Sequence, residues 1–145
     1  MDKDPMDVEA VVDGLQRVLP LQLRSATAYT LAAASIVGFS YAALSQQLWT
    51  FATLELEDAR RLGEKIVTLG GRLCDDVPGF AVADDPEDTI KRLIELETEA
   101  IEALQDVIPA TGQEGRSEAL EHRLEHVIMR KQEQVDTLVR ASRQP

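Results

Sequence analysis

The chain has 145 residues, enough for one domain spanning residues 1–145 that buries its own hydrophobic core. Its formal net charge of −11 argues against nucleic acid and anionic membrane surfaces as partners, because both are bound through basic faces. Hydrophobic residues make up 44% of the chain and aromatic residues only 4%, and the abundance of Ala, Leu, Glu and Arg favours helices over strands.

Two features of the sequence indicate a cytoplasmic protein. The first ten residues, MDKDPMDVEA, are acidic and lack the basic segment and apolar run of a signal peptide. Cys74 is the only cysteine, so the chain cannot form an internal disulfide, as is typical of proteins from a reducing compartment. We expect Cys74 to be an incidental thiol.

The first two predicted helices cover residues 8–37 and 43–69. Their apolar residues recur at the spacing of a buried helical face. Gly38 marks the turn between them. Gly70 and Gly71 are expected to end the second helix, because glycine adopts the left-handed conformation of a C-cap without strain.

No charged residue occurs between Ser25 and Leu54. This stretch is long enough to cross a membrane, but it is rich in Ala, Ser and Thr, and Gly38 interrupts it. We therefore expect two buried helices and no membrane span. A membrane-associated bundle built around residues 26–44 is the competing interpretation.

The third and fourth predicted helices cover residues 86–108 and 116–141. Asp85 is suited to cap the third helix, and Pro86 to occupy its first position. Residues 70–85 form a long connection, which lets the second and third helices run parallel. The sequence thus predicts an all-α fold, an antiparallel four-helix bundle with one long crossover between helices two and three.

Each apolar helix face carries polar residues near its middle, where a core residue is expected. Because the middles of the helices meet in such a bundle, we expect these side chains to face one another inside the core. In chain order they are Gln22, Tyr29, Glu55, Asp58, Glu97, Lys131 and Gln134.

Charged groups in a core need partners, and two accounts supply them. In one account Glu55, Asp58 and Glu97 bind a metal ion. In the other, Lys131 pairs with the carboxylates and the glutamines complete a hydrogen-bonded network. Three carboxylates and one lysine leave a formal excess of two negative charges, which protonation, water or a cation must meet.

The chain resembles the ferritin-like superfamily at these positions, and bacterioferritin in particular. The segment LQRVLPLQLRSATAY is similar to the family's first helix, which ends in a buried tyrosine matched by Tyr29. ELEDARRLGEKIVTLGG resembles the second helix, and LIELETEAIEAL and RKQEQVDTL resemble the third and fourth. In such proteins, glutamates of helices one and three and a Glu-x-x-His pair on each of helices two and four hold two irons. Those irons react with oxygen or peroxide.

The resemblance implies a degenerate di-iron centre, because only Glu55 and Glu97 keep the family's residue. The positions that differ are Gln22, Asp58, Lys131 and Gln134. They stand for the first-helix glutamate, the second-helix histidine, and the fourth-helix glutamate and histidine. Glutamine is a weak neutral ligand and lysine a cation without an acceptor, so ferroxidase activity is not expected.

Other ligand sets are less consistent with the pattern. A shifted register of helix four would bring His126 inward with Arg123 in the glutamate position, but it takes the helix off its apolar face. His122 and His126 have a spacing that can bind zinc, yet the glutamates around them indicate a solvated surface. Haem is not expected, because Leu56 stands where the family's haem-binding methionine lies.

We expect a homodimer or another homo-oligomer smaller than a shell, because the chain ends soon after helix four and lacks the short fifth helix that helps to close bacterioferritin shells. The predicted interface is the uncharged face that carries Phe39, Tyr41, Trp49 and Phe51. The predicted function is that of a structural or interaction module, with an unidentified protein partner left open. The alternative is a metal-binding protein, handling iron or acting as an altered oxidase through Glu55, Asp58 and Glu97.

Overall fold

A computed structural model of the chain describes residues 4–74 and 76–143. It contains four long helices and, within those ranges, no strand. The predicted all-α four-helix bundle is confirmed, and the predicted and observed helix ends differ by at most two residues. The helices are α1 (Val8–Ser35), α2 (Ala42–Thr68), α3 (Pro86–Val107) and α4 (Gly115–Ser142).

Capping groups account for several of the helix ends. The Asp7 side chain accepts a hydrogen bond from the Ala10 N–H (3.1 Å) at the start of α1. The Asp85 side chain does the same for the Asp88 N–H (3.0 Å) at the start of α3, where Pro86 fills the first position as predicted. Gly70 follows α2 with φ of 88°, a conformation that other residues rarely adopt.

The helix directions follow from residue pairs at their two ends. Gly14 lies against Val107 and Arg24 pairs with Glu99 (2.8 Å), so α1 and α3 are antiparallel. The Ser45 hydroxyl donates to the Ala33 carbonyl (2.8 Å) from the start of α2, which is also antiparallel to α1. Since α2 and α3 are both antiparallel to α1, they run parallel to each other, as the length of the connection between them predicted.

The core contains two apolar clusters, one near each end of the bundle. The lower cluster gathers Leu15, Leu62, Leu104 and Leu124 with their neighbours. The upper cluster gathers Leu48, Leu93 and Leu138 with theirs, and includes Tyr29. Between the two clusters lies a set of buried polar side chains, contributed by all four helices.

The uncharged stretch from Ser25 to Leu54 forms the second half of α1 and the first half of α2. A turn at Gly38, whose φ is 112°, separates the two helices. Within the described ranges, no helix is both long enough and apolar enough to cross a membrane.

Candidate functional site

The buried polar side chains between the clusters form what we call the central layer. Each has at most 3% of its surface exposed, so water does not screen its charge or dipole. The members are Gln22, Ser25, Glu55, Asp58, Glu97, Lys131 and Gln134, with Tyr29 at the upper edge.

The Lys131 ammonium lies at the middle of the layer. Its Nζ is 2.6 Å from Glu55 Oε2 and 2.8 Å from Glu97 Oε1. Burial alone would lower the pKa of Lys131, but the carboxylates of Glu55 and Glu97 outweigh this effect and raise it. Lys131 is therefore a fixed cation that bridges α2, α3 and α4.

The glutamines act as donors to the same carboxylates. Gln134 Nε2 is 2.6 Å from Glu55 Oε1 and 3.1 Å from Glu97 Oε2. Gln22 Nε2 donates to Glu55 Oε2 and to the Glu55 backbone carbonyl (3.0 Å). The Ser25 hydroxyl completes the set by donating to Glu97 Oε1 (2.6 Å). All four carboxylate oxygens of Glu55 and Glu97 thus accept a hydrogen bond.

Asp58 does not pair with Lys131, the cation that the sequence analysis offered as a partner for the carboxylates. It forms an ion pair with Arg130, whose side chain is 18% exposed. Burial lowers the pKa of the Arg130 guanidinium, and Glu55 opposes that shift only in part. Arg130 could not be predicted as a partner from the apolar periodicity, because it lies one residue off the apolar face that includes Lys131.

The formal charge of the layer follows from these pairs. Glu55, Asp58 and Glu97 contribute three negative charges, and Arg130 and Lys131 contribute two positive ones. The net formal charge of the layer is therefore −1. The residues identified from the sequence, which did not include Arg130, summed to −2. Burial raises the pKa of Glu55, and the Lys131 ammonium opposes this rise only in part, while the charge of Glu97 adds to it.

Tyr29 closes the layer on its upper side. Its ring packs edge to face on Phe51, with ring centroids 5.5 Å apart and an interplanar angle of 76°. Its hydroxyl is 3.5 Å from Gln134 Nε2. Burial, together with Glu97 and Glu55, raises the pKa of Tyr29 well above its ordinary value, so the phenol stays neutral.

The structure places the predicted side chains together, with Asp58 to one side. The α4 face that carries Lys131 and Gln134 points inward, whereas His122 and His126 are exposed. The alternative register of this helix, with His126 inside, is therefore wrong. Ser25 was not foreseen, because a serine in a run of Ala, Ser and Thr carries no distinguishing signal.

Comparison with known proteins now defines the class of this chain. The sequence profile of the ferritin-like domain matches residues 12–141, so the chain belongs to the ferritin-like family. A solved structure titled "Crystal structure of ferritin like, diiron-carboxylate proteins from Bacillus anthracis str. Ames" superposes with a TM-score of 0.86. The match covers 94% of this chain and 98% of that one at 23% identity, which establishes the shared fold. No curated protein matches the sequence.

The central layer, as its side chains are arranged, does not fit a di-iron group. Such a group needs anionic or imidazole ligands on all four helices. Here Glu55 and Glu97 face an ammonium at 2.6 and 2.8 Å, and Gln22 and Gln134 present amide donors to them. Within the described part of the chain, no three His, Cys, Asp or Glu side chains are grouped so that they could hold a metal ion.

Proposed function

We propose that this ferritin-like chain has exchanged di-iron chemistry for a side-chain salt-bridge network, and acts as a structural or interaction module. The observation that carries the proposal is the contact of Lys131 Nζ with both Glu55 and Glu97, all three fully buried. The ammonium supplies positive charge where the family's centre supplies metal ions.

The energetics of the layer support this proposal. A metal ion that bound Glu55 and Glu97 would displace Lys131 from both and leave a buried ammonium without a partner. Leaving one member of a buried ion pair unpaired costs about 3–5 kcal/mol. A metal would also have to replace the donors Gln22, Ser25 and Gln134, which satisfy the carboxylates already.

Metal content and ferrous oxidation test this part of the proposal together. The purified protein is analysed for metals as isolated, and Fe(II) oxidation is then followed in air by absorbance. We expect no stoichiometric metal and no rate above the buffer blank. About two irons per chain with catalysed oxidation would contradict the proposal, because that is the stoichiometry of an intact centre.

The alternative function is a single metal site at Glu55, Asp58 and Glu97, which would require Asp58 to leave Arg130 and turn toward the two glutamates. The excess negative charge of the layer favours it, since a cation would neutralise that charge. About one divalent metal per chain, lost in the Glu97→Gln variant and retained in an exposed control such as Glu102→Gln, would support this alternative. The same result would exclude the metal-free network.

An apolar groove on α1 and α2 provides a surface for interaction. Two adjoining cavities of about 1010 and 280 Å³ share Thr53 and Leu56 and run along the outside of these helices. Leu56 is 58% exposed and Trp49 52% exposed, both unusually high for large apolar side chains on one face. We call this surface the α1–α2 face; its apolar side chains are Leu19, Leu23, Leu31, Trp49, Leu56, Val67 and Leu73.

The aromatic residues expected at the interface divide between surface and core. Phe39 and Trp49 are exposed. Phe51 instead packs inward on Tyr29, and Tyr41 packs against the upper cluster. Aliphatic side chains therefore contribute more of the α1–α2 face than the sequence indicated.

We propose a second copy of this chain as the occupant of the α1–α2 face. Two molecules that each carry a net charge of −11 repel one another, and this repulsion is weakest when the contacting faces are poor in charge. The charge-free stretch from Ser25 to Leu54 supplies the upper half of the α1–α2 face, and a two-fold interface would pair it with itself.

The oligomeric state in solution tests this interface. We expect a dimer by light scattering coupled to size exclusion, and a monomer for Leu56→Glu, which places a charge at the middle of the face. Met129→Glu is the matched control, because Met129 is 55% exposed but lies on α4. A monomeric wild type, or equal effects of the two substitutions, would contradict the assignment.

A further inference from the structure

Four of the nine residues that line one cavity between α2 and α4 are cationic. The cavity has a volume of about 440 Å³ and lies on the lower half of the bundle, away from the central layer. Its walls carry Arg60, Arg61, Lys65 and Arg123, with Glu64 as the one acidic lining residue. Leu62 and Leu120, both buried, contribute apolar surface to it.

This concentration of positive charge contrasts with the rest of the molecule. The chain has 15 Lys and Arg residues against 26 Asp and Glu, yet four of those 15 line this single cavity. A cleft lined by one sign of charge over apolar walls focuses the electrostatic field and raises the local concentration of counter-ions. The expected ligand is therefore an anion.

Two of the four cations are already paired, and two are not. Arg60 pairs with Glu57 (2.5 Å) and with Glu64, and Arg61 pairs with Glu57 (3.3 Å). Within the described ranges, neither Lys65 nor Arg123 forms an ion pair, and both are half-buried. Four positive charges and two negative ones leave a local charge of about +2 at the cavity, which matches a dianion.

The packing of the helices explains why the cavity is present. Helices α2 and α4 contact each other sparsely and are linked at the central layer by the pair of Asp58 with Arg130. Below that level the small side chain of Ala119 leaves space on α4 opposite Lys65 and Arg61 of α2. The cavity thus lies between two helices, with Arg60, Arg61 and Lys65 on α2 and Arg123 on α4.

We propose that this cavity binds a small phosphate-bearing molecule, either free phosphate or a phosphate monoester. Guanidinium groups match the oxygens of a phosphate through paired N–H donors, and lysine adds a point charge. A cavity of about 440 Å³ falls in the range of small-molecule sites, about 300–1,000 Å³, and has room for an organic group beside the phosphate. This site is independent of the proposed function of the central layer.

Calorimetric titration tests the site with two probes, inorganic phosphate and glycerol 3-phosphate, in a chloride buffer of constant ionic strength. We expect saturable binding with one site per chain, and at least tenfold weaker binding in the Lys65→Ala/Arg123→Ala variant. These two residues do not line the α1–α2 groove, so the variant leaves that surface intact. Arg17→Ala/Lys91→Ala is the control, since it removes the same charge from exposed positions elsewhere.

The outcomes separate a specific site from general charge attraction. Binding of either probe that is lost in the Lys65/Arg123 variant and kept in the control supports the site, and the tighter probe identifies free phosphate or an ester as the ligand class. No saturable binding, or equal loss in both variants, would overturn it. Should circular dichroism show that the first variant is unfolded, Lys65→Gln/Arg123→Gln replaces it, because it keeps more of the side-chain packing.

Discussion

The lower apolar cluster and the central layer are built by the same helices but depend on different physical terms. In the lower cluster, Leu62, Leu104 and Leu124 need only matching volume, so many apolar residues could serve there. In the central layer, Glu55 and Lys131 each require a particular partner at hydrogen-bonding distance. A bundle can therefore keep its fold through its apolar clusters while the chemistry of its middle layer changes.

The largest effect is expected from Lys131→Met, which removes the cation of the central layer. It leaves Glu55 and Glu97 buried and facing each other without a counter-charge, which should lower the free energy of unfolding by about 3–5 kcal/mol. Urea denaturation followed by circular dichroism measures the change. Lys91→Met, on an exposed part of α3, should alter stability by less than about 0.5 kcal/mol.

A rescue variant separates the loss of charge pairing from the loss of packing. Glu55→Gln/Glu97→Gln/Lys131→Met removes the ammonium together with the two carboxylates that it pairs, and should return to within about 1–2 kcal/mol of the wild type, because neutral glutamines need no counter-charge. A Lys131→Met protein as stable as the wild type would contradict the network.

In the lower cluster, Leu62→Ala should cost about 3 kcal/mol through lost burial and the cavity left behind. The same denaturation experiment measures it. Unlike Lys131→Met, this variant should be improved by a larger apolar residue at a neighbouring position and not by removing charge. Rescue of Leu62→Ala by Glu55→Gln would show that the two regions are not separate.

A smaller effect is expected from Asp58→Asn, at the edge of the layer. The substitution weakens the pair with Arg130, which keeps 18% of its side chain exposed and can therefore be rehydrated. The expected loss is about 1–2 kcal/mol, below that for a fully buried pair. A loss as large as that of Lys131→Met would place Asp58 among the central partners of the lysine.

The smallest effect at neutral pH is expected from Tyr29→Phe, a loss of about 0.5–1 kcal/mol in the free energy of unfolding, because the hydroxyl contact of Tyr29 is long at 3.5 Å.

At alkaline pH, Tyr29 also affects stability through the proton of its hydroxyl. The folded state raises the pKa of Tyr29 and of Lys131 above their ordinary values of 10.0 and 10.5, so the folded chain holds these protons more tightly than the unfolded one. Stability should therefore fall as pH rises above about 10, and less steeply in Tyr29→Phe. Denaturation curves at several pH values check the slope, and an equal slope in both proteins would contradict it.

The apolar pattern was sufficient to predict the bundle. Leu15, Leu62 and Leu124 recur in phase with the helical period, and glycine and proline mark the ends of the helices, so local signals agreed with the overall fold. Lys131 and Gln134 were predicted to point inward because they occupy positions in that same pattern.

The partners within the site were harder to predict, because they depend on the three-dimensional reach of long side chains. The pair of Asp58 with Arg130 arises because Arg130 extends from beside the apolar face, a direction that periodicity does not encode. The inward packing of Phe51 and the cationic cavity at Lys65 and Arg123 likewise depend on how α2 meets its neighbours.

The most direct test of the account is iron binding by the wild type beside a redesigned layer. The redesign is Gln22→Glu/Asp58→His/Lys131→Glu/Gln134→His, which supplies the ligand types that the family uses. Both proteins are loaded anaerobically with Fe(II), desalted and analysed for iron. We expect about two irons per chain in the redesigned protein and no stoichiometric iron in the wild type. About two irons in the wild type would contradict the claim that Lys131 has taken the place of the metal centre.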